Sequence, residues 1–132
     1  MNKNKSVLTF HDYYVIKMEY NKNVGFISDG NQLDVTLQFL HDVLKTETNY
    51  EVTLGVKILA SEELPTPFNI EVIIIGVFSL EVEDDVFIKE NAVAILFPYL
   101  RSIVTTITAN ANIAPLVLPT VNVAEMLATK EE

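Results

Sequence analysis

The sequence predicts an α+β fold: a four-stranded antiparallel sheet with one long C-terminal helix packed on it, then a proline-containing crossover loop and a short final helix. Three observations carry that prediction. Segments in the first two thirds of the chain alternate apolar and polar residues with the period of two that a half-buried strand requires. A broad apolar stripe follows at spacings of three and four, the period of a helix face. Beyond it residues 102–124 carry no charge, and Pro115 and Pro119 in that run cannot continue a helix.

The elements follow in order. Residues 7–20 are rich in β-formers: Leu8, Phe10, Tyr14, Ile16, Met18 and Tyr20 alternate, and Asp12 interrupts them, which predicts a first strand with a bulge near Asp12. A turn-rich loop, NKNVGFISDGN, comes next. Leu33, Val35, Leu37 and Phe39 then alternate with Asp34, Thr36 and Gln38 as a second strand, and KTETN at 45–49 reads as a turn. Tyr50, Val52, Leu54, Val56, Ile58 and Ala60 form a third strand that SEELPTP ends. The fourth has the longest alternation, from Phe68 through Ile70, Val72, Ile74, Gly76, Phe78 and Leu80 to Val82.

The opposite face of the fourth strand is apolar at its middle, with Ile73, Ile75 and Val77 between Asn69 and Glu71 on one side and Ser79 and Glu81 on the other. A sheet with one wet face is polar there. Two readings stand: a helix or loop of the same chain covers this face, or another subunit or a client does. Gly76 and Val77 also mark a place for a kink or bulge.

The helical stripe runs through Ala92, Ile95, Leu96, Tyr99, Leu100, Ile103, Val104 and Ile107, and predicts a helix from about 94 to 109 with Pro98 in an early position or at a kink. Residues 111–122 are then an extended apolar loop, and AEMLATKEE a short last helix. The 23 uncharged residues are long enough to span a bilayer. They hold three asparagines and two prolines, and the helical pattern stops at their middle, so the expectation is packing and not a membrane span.

No repeat, low-complexity tract or linker divides the 132 residues, which predicts a single domain, 1–132. No cysteine is present, which excludes disulfides and thiolate chemistry. The basic N-terminal residues lack an apolar stretch after them, so no secretory leader is expected. A net charge of −9 argues against a nucleic-acid partner, which needs clustered Lys and Arg. His11–Asp12 and His41–Asp42 are adjacent pairs, whose side chains point to opposite faces of a strand, so surface or turn histidines are expected and not a metal site. Ser102 lacks a GxSxG elbow, EVEDD at 81–85 lacks the glycine and spacing of a calcium loop, and four glycines form no phosphate loop. The residues point to no enzyme, no cofactor and no metal, but to an acidic domain with more apolar surface than one copy can bury.

A resemblance sharpens this. Leu96-Phe97-Pro98-Tyr99 with Arg101, followed by Pro115, Leu116, Leu118, Pro119, Val121 and Asn122, resembles the ILFPYAR and GxFPPLxLPPVNF blocks of SecB, the bacterial protein-export chaperone family. Glu71-Val72 and Gly76-Val77-Phe78-Ser79-Leu80 resemble the EV…GIFxI pattern of that family's fourth strand. The resemblance covers residues 68–127 well, and the first three strands by general pattern. It implies a cytoplasmic, tetrameric (dimer of dimers), ATP-independent holdase that binds unfolded polypeptides in apolar grooves and hands them to SecA. It further implies a client groove at Phe39, Phe97, Ile113, Leu116, Leu118 and Val121, oligomer contacts at Ile70, Val72, Ile74, Tyr99 and Ile103, and SecA docking at Glu71.

The chain departs from the pattern in places. It has no Trp, Ala111 stands for a glycine, Ile113-Ala114 for Phe-Pro and Val123 for Phe, and the chain stops at Glu132, before the longer final helix and polar tail that the family uses on SecA. Two alternatives remain open: a SecB-like chaperone dedicated to one partner such as an antitoxin, and an oligomeric binding domain with no chaperone activity.

Overall fold

The computed structural model describes residues 7–22, 36–59, 68–81, 84–111 and 118. It contains β1 (Leu8–Lys22), β2 (Thr36–Lys45), β3 (Tyr50–Leu59), β4 (Phe68–Leu80) and α1 (Asp85–Asn110). The four strands form one antiparallel sheet in the order β1-β4-β3-β2, with α1 on one face. This is the predicted α+β arrangement of sheet and long helix. The crossover loop apart from Leu118, and the final helix, lie outside the described residues.

The centre of the sheet follows directly from the alternation in β3 and β4. Tyr50, Val52, Leu54, Val56 and Ile58 pair with Phe78, Gly76, Ile74, Val72 and Ile70, so all ten share one face. Their side chains, Gly76 apart, are the sheet half of the core. At Gly76 the two layers approach each other closely. A Cβ built there would lie 2.7 Å from Cδ2 of Leu96 and 2.8 Å from Cε1 of Phe78, so Leu96 of α1 rests on bare backbone.

β2 runs six residues past Phe39, where the expected strand ended, and stops at Lys45, the first residue of the predicted turn. Its inner residues are Leu37, Phe39, His41 and Val43, and its outer ones include Leu40 and Leu44. An inward histidine and two outward leucines blur the period of two, which hides the second half of this strand from pattern reading. The turn is closed by Thr46, whose Oγ1 donates to the Asn49 carbonyl at 2.9 Å and accepts from the Asn49 N–H at 3.0 Å.

β1 carries two bulges against β4, one between Phe10 and Asp12, as expected, and one between Val15 and Lys17. Each inserts one residue and flips the strand. Leu8 and Phe10 face α1; between the bulges Tyr13 and Val15 do; after the second, Met18 and Tyr20 do again. Tyr14, expected inside, therefore lies on the outer face. The first bulge on β1 lies opposite the Val77–Phe78 step, next to the Gly76–Val77 pair where a kink or bulge was expected, while Gly76 itself pairs in register with Tyr13.

α1 begins at Asp85, nine residues before the expected start. Asp84 caps it: its carboxylate accepts from the Phe87 N–H at 3.1 Å and its carbonyl from the Ile88 N–H at 3.0 Å. The polar residues Lys89, Glu90 and Asn91 masked this first turn in the sequence. The buried face is Ile88, Ala92, Val93, Leu96, Phe97, Leu100, Val104 and Thr108, while Ile95, Ile103 and Ile107 flank it. Pro98 lies mid-helix, not early. It and Ala94, whose carbonyl loses its helical partner, both face solvent. The buried Thr108 hydroxyl donates back to the Thr105 carbonyl at 3.0 Å. α1 is long and apolar enough to cross a bilayer by composition alone, but that apolarity is spent on the sheet.

Candidate functional site

A helix is about 10–12 Å across, and four strands about 4.8 Å apart present a wider face. α1 accordingly packs mainly on β3 and β4 and touches β1 and β2 less. A shelf of inner sheet face remains on each side of it.

The β1 shelf is the more open. Val15 is 40% exposed and Met18 60%, although both point to the same face as the core. Tyr99 of α1, 38% exposed, forms the wall; its ring lies 4.6 Å from that of Tyr13 and 5.8 Å from Phe10, which stacks on Phe78 at 5.1 Å. The aromatic series thus runs without a break from the core to the surface. The β2 shelf holds Leu37, Phe39 and Val43, all half-buried, with the Phe39 ring 6.1 Å from Phe97. What such shelves can do is bury apolar side chains without regard to sequence, at about 25 cal/mol per Å² removed from water. Among the described residues, the side chains named on them are apolar or aromatic, with His41 as the inward polar residue of β2. Among the described residues no cluster of His, Cys, Asp and Glu could hold a metal ion.

The outer sheet face is the second unusual surface. Ile73, Ile75 and Val77 are only half-buried, with Tyr14, Leu40 and Leu44 exposed on the same face. Among the described residues the one helix lies on the opposite side. Toward one end of this face, Lys17 Nζ binds Glu71 at 2.8 Å and Glu19 at 3.7 Å. The hydrogen bond to Glu71 holds the Lys17 ammonium above the ordinary lysine value of 10.5. Toward the other, exposed His11, the extra residue of the first bulge, places Nε2 2.8 Å from Oγ of Ser79. His41 and Asp42 point to opposite faces of β2, as adjacent strand residues must. Both histidines lie in strands and neither in a turn.

The predicted site residues divide. Glu71 is on the outer face, Phe39 on the β2 shelf, and Tyr99 and Ile103 flank the buried side of α1. Ile113, Leu116 and Val121 lie outside the described residues. Five of the expected residues are closed within the single chain. Ile70, Val72 and Ile74 are buried on the face that α1 covers, whereas Ile73, Ile75 and Val77 of β4 are half-buried on the outer face. Leu118, 1% exposed, belongs to the core. Phe97, at 7%, is nearly consumed by the same core, so of the aromatic pair Phe39 alone offers surface. Sequence reasoning missed Tyr13, Val15 and Met18. The signal was there: Val15 and Met18 can share a face only if the strand between them holds an extra residue.

The family model for "Preprotein translocase subunit SecB" matches residues 4–132. An uncharacterized protein of Methanocaldococcus jannaschii is 39% identical over 136 residues, 97% of this chain and 87% of its own. The protein-export protein SecB of Orientia tsutsugamushi is 26% identical over 140 residues, covering 95% of this chain and 88% of its own. Among solved structures, a SecB-like chaperone of Mycobacterium tuberculosis in complex with a ChAD peptide from the HigA1 antitoxin superposes with a TM-score of 0.72 at 15% identity, covering 87% of this chain and 91% of that one.

Proposed function

Since this chain belongs to the SecB family, a family of export chaperones and not of enzymes, we propose that it is an ATP-independent holdase. In this reading it binds unfolded or non-native polypeptides and delivers them, in the cytoplasm, to SecA and the Sec export pathway. The observation that carries the reading is the β1 shelf: Val15, Met18 and Tyr99 stand open beside a core they were built to face. A holdase needs apolar contact that many sequences satisfy, and such a shelf supplies it without fixed polar partners.

The client groove of this proposal combines Phe39 and the β1 shelf with Ile113, Leu116 and Val121, which the family resemblance contributes. The 132 residues act as one domain. The assembly is a tetramer, a dimer of dimers, in which Tyr99, Ile103 and the exposed apolar residues of the sheet meet other subunits, and several grooves in one particle add avidity. Glu71 is the proposed contact for SecA, on the outer face and already engaged by Lys17. The acidity of the chain keeps an apolar-rich assembly dispersed and favours basic clients.

A second reading is a chaperone dedicated to a single partner. It is favoured by the M. tuberculosis neighbour, a SecB-like chaperone solved with an antitoxin peptide. A third is an oligomeric binding domain without chaperone activity. The test is suppression of aggregation: a molar excess of the purified protein should slow the light-scattering increase of a chemically unfolded client, and no slowing with any of several clients would end both chaperone readings. Co-purification with SecA separates the export reading from the dedicated one.

A further inference from the structure

Glu71 is not an open carboxylate. Its Oε1 accepts from Lys17 Nζ at 2.8 Å, and the same ammonium lies 3.7 Å from Oε1 of Glu19. The Glu71 side chain is 20% exposed against 46% for Lys17, so the lysine is the more open member of the pair. The second bulge of β1 aligns them: the ladder passes over Ile16 and leaves Lys17 on the outer face, opposite Ile73 and diagonal to Glu71. The direct cross-strand neighbours of Glu71 are Glu19 on β1 and Lys57 on β3. Among the described strands both outer-face lysines, Lys17 and Lys57, thus stand at this end. Asp12, Asp42 and Glu51 lie in the rows of Val77 and Ile75, toward the other end. Two ammonium groups and two carboxylates cancel around Glu71. A cation that approaches it meets like charges at close range, and the attraction of a lone carboxylate is largely lost.

We infer that Lys17 is a specificity-determining residue for the Glu71 contact: it competes within the chain for the carboxylate, so that a basic group of SecA gains there only by displacing it. The inference rests on the reading that SecA docks at Glu71; the pairing of Lys17 with Glu71 does not. Such a competitor weakens docking without abolishing it, because a pair between partly exposed groups opens at a cost of about twofold to fivefold in affinity.

Two measurements on the full-length protein test this. A carbodiimide activates a carboxyl group and joins it, with loss of water, to an amine in contact. In the wild type it should link Glu71 to Lys17, which mass spectrometry of the digested protein reads. The second measurement is the Kd for purified SecA at one fixed low ionic strength. It compares wild type with Lys17→Met, Lys17→Gln, Glu71→Gln, the double variant Lys17→Met with Glu71→Gln, and Lys89→Met. Lys89 is on α1, across the sheet from Glu71, and its replacement matches the change in net charge without touching the pair. Lys17→Met and Lys17→Gln should bind SecA about twofold to fivefold tighter than wild type and than Lys89→Met. Glu71→Gln should bind more weakly, and adding Lys17→Met to it should recover nothing. Absence of the Lys17–Glu71 link in the wild type overturns the pairing, whether or not SecA binds. A link together with Lys17 variants that bind no tighter than Lys89→Met overturns the competition, as does an equal gain in the Glu71→Gln background. Weaker binding by the Lys17 variants makes Lys17 part of the contact and overturns it too. Absence of SecA binding in every form removes the role together with the reading that places SecA at Glu71, while the link still decides the pairing.

Discussion

Replacing Gly76 by alanine would place one methyl group where α1 meets the sheet. The new Cβ would stand 2.7 Å and 3.0 Å from the two Cδ atoms of Leu96 and 2.8 Å from Cε1 of Phe78. Carbon atoms pack best at about 3.5–4.0 Å, so the overlap is about 0.5–1.3 Å with each. Neither neighbour can swing away freely. Both are fully buried, and Phe78 is stacked on Phe10. Overpacking of this kind costs about 1–3 kcal/mol. Alanine recovers about 0.5–1 kcal/mol relative to glycine within a strand. The net loss should be about 1–2 kcal/mol, or roughly 4–8 °C in Tm for a chain of this size. Thermal and urea melts followed by far-ultraviolet circular dichroism would measure it. Leu96→Ala alone should cost about 2–5 kcal/mol, and the double variant should cost less than the sum, because each change makes room for the other. A neutral Gly76→Ala, or strict additivity in the double variant, would refute the close contact.

Two further outcomes follow from local features. Asp84→Ala removes the carboxylate that caps α1 and should cost about 1 kcal/mol, while Asp84→Ser should be near neutral; chemical denaturation measures both. Lys17 has a raised pKa in the folded protein, so its pairing with Glu71 is present below the unfolded value of 10.5 and is lost as pH rises through the raised one. Melts of wild type and Lys17→Met should therefore differ slightly at pH 8 and converge once the pH has risen through the raised Lys17 value; a gap that persists there would contradict the pairing.

Much of the sheet was legible because β3 and β4 alternate without a fault, and their pairing follows the alternation residue by residue. The helix was legible in its middle, where Leu96, Leu100 and Val104 repeat, but not in its first turns, where Lys89, Glu90 and Asn91 are simply the wet side of a stripe that starts at Ile88. Which apolar residues stay open in the single chain was not legible, for two reasons. Apolarity in a sequence does not say which residues the chain keeps for itself, and Ile70, Val72, Ile74, Phe97 and Leu118 turn out to be kept. The open shelf of β1 depends on where two extra residues fall, and alternation alone conceals a pair of them. One break, at Asp12, showed in the pattern; the second, at Ile16, looked like regular strand.

Those two extra residues behave like two compensating frameshifts in a message. If only one of them were looped out as a bulge, everything downstream would be read in the wrong phase, with Met18 and Tyr20 turned to water and Lys17 and Glu19 turned to the core. Together they confine the altered phase to the short stretch that presents Tyr13 and Val15 to the helix side. The ladder itself already passes over both residues, so Phe10 is followed by Asp12 and Val15 by Lys17 in the order of their partners. Removing His11 or Ile16 should therefore straighten the strand locally and leave Tyr13, Val15 and Met18 on the helix side.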